Sequence, residues 1–214
     1  MNPHMMKFKQ RDYIWTYDFD ETYLEFFVED FMRLEQDPAI QVIAIYISSY
    51  GGDAYTLCAM RDLIKSSIKP VATICMGKAM SAGAFLLASG TPGLRFCSEN
   101  SEIMVHEISS GTVGKTAEIL QGAIDLDKFN KRVMRNFAQD IGKSITEVED
   151  ILKSKSNVDW NLNSKDAKKV GIIDHIGIPR VGHIPELVML ATPPGLSVTK
   201  PKKPRVKKPN IKNK

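Results

Sequence analysis

The run Val42-Ile43-Ala44-Ile45-Tyr46-Ile47 constrains the fold most: six consecutive apolar residues, three of them isoleucine. A strand with one wet face alternates polar and apolar residues. A run that is apolar at every position suits a central strand covered on both faces. Its surroundings agree. Tyr13 to Tyr17 reads as a first strand. Asp20 is placed to cap a helix from Glu21 to Glu35, whose Leu24, Phe27, Val28, Phe31 and Leu34 follow helical spacing. After the run, a helix is expected from Asp53 to Ser67, stopped by Pro70. Val71 to Cys75 reads as a short strand, and a small-residue turn from Ala79 to Ala84 leads to a short helix ending near Ser89. Arg95–Cys97 and Ile103–Val105 read as two more strands. Strands alternating with helices define an α/β architecture with largely parallel pairing.

The second half is more helical. A long helix is expected from Thr116 to Gln139, and the capping box Ser144-Ile145-Thr146-Glu147 opens another to Leu152. Ser164 is read as the cap of a short helix to Val170, and Ile172 to Ile176 as a late strand. The chain divides into an N-terminal segment (1–11), one domain (12–178), a proline-containing connector (179–196) and a basic tail (197–214). The net charge of +4 belongs to that tail: residues 200–214 hold eight of the 29 basic residues and no acid, which leaves 21 against 25, a body of net −4. A nucleic-acid partner is thus suggested only by the tail, whose alternative reading is a solvated segment with no partner, and not by a reading motif in the domain. No apolar run approaches the ~20 residues that span a bilayer, and Met1-Asn2-Pro3-His4 opens no signal peptide. Cys58, Cys75 and Cys97 lie in apolar runs without metal-ligand spacing, which reads as buried free thiols in a reducing cytoplasm, with no metal and no cofactor expected.

Four windows carry candidate chemistry, and each has a plain structural alternative. Ser81 sits between a strand and a helix among small neighbours, where a hydroxyl can be lifted toward substrate, although a serine there is more often a helix cap. His106 ends the strand Ile103–Val105, or is a histidine satisfied locally. Asp159 precedes a helix in this reading; it is a turn residue or the carboxylate that orients an imidazole. Gly51-Gly52 turns the chain after the apolar run; the phosphate-loop patterns are absent.

Taken together, these windows resemble the ClpP family, the proteolytic subunits of the Clp self-compartmentalising serine proteases. The residues that carry the resemblance are Ile45 to Gly52, Ile68 to Gly77, Ala79 to Gly90 and Asn100 to His106, with Asp159 through Asp174 as the final motif. The resemblance covers residues 12 to 178. It implies a ClpP/crotonase-like fold with a protruding handle helix over residues 116–139. It implies Ser81 as nucleophile, His106 as general base and Asp159 as its orienter, with the oxyanion held by the N–H groups of Gly52 and Ala82. It also implies unfolded polypeptide as substrate, assembly into homo-oligomeric rings of seven, singly or stacked in pairs, and an AAA+ unfoldase as partner. The loop Ser109 to Gly114 and the segment before Tyr13 have sequences of their own, and two residue pairs also depart from the family pattern. Asn157-Val158 stands where Asp-Arg is usual before the aspartate, and Glu107-Ile108 replaces the usual Gln-Pro after the histidine. Alternative readings are a viral capsid or scaffold maturation protease of the same fold, a non-catalytic ring partner of an active paralogue, and, lower, a CoA-dependent crotonase.

Overall fold

The computed structural model describes residues 12–111, 113–154 and 159–179. The N-terminal segment, Asn157-Val158, nearly all of the connector and the tail lie outside the described residues. The chain runs β1 (Ile14–Thr16), α1 (Glu21–Gln36), β2 (Ile43–Ser49), α2 (Ala54–Ser66), β3 (Val71–Met80), α3 (Ala82–Ala88), β4 (Arg95–Cys97) and β5 (Glu102–Val105). It continues through α4 (Thr116–Asp140), α5 (Ile145–Ser154), β6 (Trp160–Asn163), α6 (Ser164–Val170) and β7 (His175–Ile176). The strands form one sheet in the order β1-β2-β3-β4-β7, with β5 joining β3 and β6 joining β5. Every pairing is parallel except β5 with β6.

The two faces of β2 divide the core. Ile43, Ile45 and Ile47 point into the main core with Phe27, Phe31 and Leu34 of α1 and Met60 of α2. Ala44 and Tyr46 point the other way, into a smaller cluster with Ala72, Ile74, Leu94 and Phe96 that contains no helix residue. There Tyr13 meets Tyr46 edge-on and Trp15 stacks on it. Phe27 and Phe31 are buried and stacked on each other. Truncating either ring to alanine would cost about 3–5 kcal/mol.

Local signals set the helix starts. Asp20 accepts from the N–H of Tyr23 and Asp53 from that of Thr56, each satisfying a donor the helix cannot. Ser144 and Glu147 form the expected capping box. Asp140, at the end of α4, binds Arg61 at 2.8 Å and Lys65 at 2.9 Å, which fastens α2 to α4. The first half of α4 stands away from the core, with Leu120 and Ile124 more than half exposed, while Phe129, Val133 and Phe137 of its second half are buried.

Four expectations are corrected. The strand expected to stop at Cys75 continues to Met80: it turns at Gly77, where φ is 81°, leaves β4 after Cys75 and pairs with β5 from Lys78. Residues 160–163, read as the approach to a helix, form β6 against β5. The cap of α6 is Asn163, whose side chain accepts from Asp166 N–H, so Ser164 is the first helical residue and gives its hydroxyl to Glu99 O. The late strand holds only His175 and Ile176; Ile172 and Ile173 are buried without strand pairing. Cys75 and Cys97 are buried as expected, while Cys58 is half-buried. Among the described residues, no helix is long and apolar enough to cross a membrane.

Candidate active site

The carboxyl ends of parallel strands gather at one edge of the sheet, where ligands of open α/β sheets commonly bind. Gly52 follows β2, Ser81 follows β3 and His106 follows β5, so residues 54 positions apart in sequence meet there. The register explains how. Met80 pairs with Met104, and Ser81 N–H then donates to Met104 O at 2.8 Å, which staples the turn to β5. Gly52, Ser81, Ala82 and His106 line one cleft of about 370 Å³.

Ser81 has φ 52° and ψ −124°, and is the only non-glycine with positive φ among the described residues. Such a conformation costs about 1–3 kcal/mol and persists only where its surroundings over-determine it. Although Ser81 stands at the cap position of α3, its side chain makes no capping bond. The hydroxyl is therefore not used to finish the helix. Its neighbours force the turn: a Cβ built on Gly51 would lie 2.7 Å from Ser81 Cβ and 2.9 Å from Met80 O. A Cβ on Gly52 would lie 2.5 Å from Phe19 O. The N–H groups of Gly52 and Ala82 give no hydrogen bond to a described residue.

Asp159 directly precedes β6, which runs antiparallel to β5. Trp160 pairs with Val105 as the last rung of the antiparallel ladder, so His106 and Asp159 are the next residue after β5 and the last residue before β6. Asp159 is exposed and does not line the cleft. Among the described residues no hydrogen bond joins His106 to Ser81 or to Asp159.

The rest of the cleft comes from residues that carry no motif. Tyr55 of α2 stacks on Phe129 of α4 with ring centroids 4.4 Å apart, and Leu57, Phe85 and Val133 complete an apolar wall. Asp125 and Glu107 also line the cleft, with their carboxylates held by neighbours: Asp125 by Gln121 and Lys128, and Glu107 by Asn130. Tyr55 and Phe129 are 74 positions apart, and only the packing of α4 over α2 joins them. The arrangement offers a cleft with one apolar wall, beside a strained serine and two N–H groups that bond to no described residue.

The family model for Clp protease matches residues 4–180. The ATP-dependent Clp protease proteolytic subunit 2 of Frankia casuarinae is 33% identical over 176 residues, which cover 82% of this chain and 79% of the relative. The chain belongs to the Clp protease family and is a ClpP-type peptidase. The parallel-dominated sheet and the six helices among the described residues agree with the ClpP fold.

Proposed function

We propose that the protein is a serine endopeptidase that cuts unfolded polypeptide, with Ser81 as nucleophile, His106 as general base and Asp159 as the residue that orients His106. The observation that carries this reading is Ser81 itself: a strained, uncapped serine at the carboxyl edge of the sheet, on the wall of the cleft. Strain of this kind marks nucleophile turns, because it lifts the hydroxyl clear of the backbone.

In the reaction, Ser81 Oγ attacks the peptide carbonyl while His106 takes its proton. The carbonyl oxygen, now negative, is met by the N–H groups of Gly52 and Ala82, whose alignment costs nothing further at the moment of reaction. His106 returns the proton to the leaving amine, and water repeats the sequence to release the acyl group. Asp159 holds the imidazole in the correct tautomer and stabilises its charged form. Catalytic hydrogen bonds often tighten only when substrate is bound, and here substrate in the cleft completes the alignment of His106. The side chain before the cut bond enters the pocket walled by Tyr55, Phe85 and Phe129.

The working form is a ring of subunits, expected to be heptameric, with the exposed apolar residues of α4 at the contact between rings and an AAA+ unfoldase supplying chain. Exposed apolar patches on a helix standing off the core support such a contact. The test is fluorophosphonate labelling of the purified protein, followed by sizing and peptide mapping. One label at Ser81 in an oligomeric fraction is expected, and Ser81→Ala should remove both label and peptide hydrolysis. Hydrolysis that survives Ser81→Ala would reject the mechanism, and an oligomer that takes no label would favour a non-catalytic ring partner.

A further inference from the structure

The segment after His106 is held from α4 by one side chain. Asn130 Oδ1 accepts from the N–H of Ile108 at 3.0 Å, and Asn130 Nδ2 donates to Glu107 Oε1 at 3.3 Å. The amide can face only one way. A backbone N–H must meet the oxygen, and a carboxylate must meet the nitrogen. A proline at position 108 would have no N–H to give, so this contact depends on the residue present here.

The two residues so held are the first two after His106, and both line the cleft. Ile108 is also packed against the main core. The neighbour of Asn130 in α4 is Phe129, which forms the cleft wall with Tyr55. One turn of α4 therefore shapes the pocket with one side chain and ties down the His106 segment with the next. Residues 109–111 beyond it are exposed and have no regular structure. Without Asn130, the segment between β5 and α4 would lose a bond to the backbone of Ile108 and a bond to the side chain of Glu107.

We propose that Asn130 is a positioning residue: by fixing Glu107 and Ile108 it sets the direction in which His106 meets Ser81. The proposal rests on the reading of Ser81 and His106 as the catalytic pair. Asn130 touches neither residue, and its effect runs through the backbone of 107–108.

The test compares three variants of the full chain on a short fluorogenic peptide, with amide hydrogen exchange over residues 105–111 as a second readout. In Asn130→Ala, kcat should fall about tenfold with KM changed less than about threefold, since misplacing a reacting group costs turnover more than binding. Exchange in 105–111 should quicken while that of β3 stays as in the parent. Asn130→Asp keeps the acceptor for Ile108 but sets a carboxylate against Glu107, and should also lose turnover. The double variant N130D/E107Q reverses donor and acceptor and should return kcat to within about threefold of the parent, which a general loss of packing would not do. A parental kcat in Asn130→Ala, or a double variant as impaired as Asn130→Asp, would overturn the proposal. A parent that takes no fluorophosphonate at Ser81 would instead sink the catalytic reading on which it rests. The exchange data would then still report whether Asn130 holds the segment.

Discussion

Gly51 and Ser81 are packed so closely that a single added carbon on Gly51 would fall 2.7 Å from Ser81 Cβ, well inside contact distance. The glycine also has φ 98°, which a side chain rarely adopts. The turn after β2 and the turn after β3 therefore form one unit, and the position of Ser81 depends on a residue 30 places earlier. Gly51→Ala should displace Ser81 and cut the rate of fluorophosphonate labelling by at least about tenfold. It should also lower stability by about 1–3 kcal/mol, from strain at φ and the clash. Parental labelling kinetics would show that the two turns move independently.

The strain at Ser81 makes a separate prediction. Ser81→Ala and Ser81→Gly both remove the hydroxyl, but only glycine accepts φ 52° without cost. Ser81→Gly should be more stable than Ser81→Ala by about 1 kcal/mol, the relief of strain less the extra freedom of unfolded glycine. Denaturant unfolding of the two variants measures this. Equal midpoints would mean the turn stores no strain.

Asp174 pins the far end of the sheet. Its carboxylate takes two bonds from the Arg95 guanidinium, at 2.6 and 2.9 Å, and two from the N–H groups of Gly93 and Arg95. Burial opposes its charge, but the Arg95 bonds and charge and the two N–H groups outweigh it and hold the carboxyl below its ordinary value. A depressed folded value means stability that is complete above the unfolded carboxylate value, about 4, and lost as pH falls through the lower folded one. Asp174→Asn should cost about 2 kcal/mol at pH 7, less than for a fully buried pair because the carboxylate is partly exposed. The gap between variant and parent should close on acidification below about pH 4. A gap that stays constant down to pH 2 would assign the loss to shape and not to charge.

The thiols should separate by reactivity. Cys75 and Cys97 are paired in register on β3 and β4, and both are buried. The hydrogen bond between the two free thiols, with burial, pushes the Cys75 thiol far up, so it stays protonated. Cys58 is half-buried, and burial raises its thiol as well. An aromatic disulfide reagent should titrate one thiol per native chain, slowly near neutral pH and faster as pH rises, and three after unfolding. Three reactive thiols in the native protein would mean that β4 opens readily.

Wherever a structural feature is written in adjacent residues, the sequence was enough. The apolar run of β2 marks a strand whose faces are both covered, and the caps at Asp20, Asp53 and Ser144 act within three residues, so their helices begin where expected. Ser81, His106 and the two glycines stand out by their settings between elements. Features that need a partner from elsewhere in the chain were not legible. β6 is Trp-Asn-Leu-Asn, half polar and only four residues long, and is a strand because β5 offers it an edge. With β6 ending at Asn163, the cap of α6 falls one residue before the serine that resembles one. β3 runs on past its glycine because β5 takes over where β4 leaves off. The Tyr55–Phe129 wall and the hold of Asn130 on Ile108 are decided the same way. Each joins residues at least 22 positions apart. Local propensity acts within a turn or two of chain, whereas strand register and helix packing are settled by burial of the whole core, and that only the tertiary structure expresses.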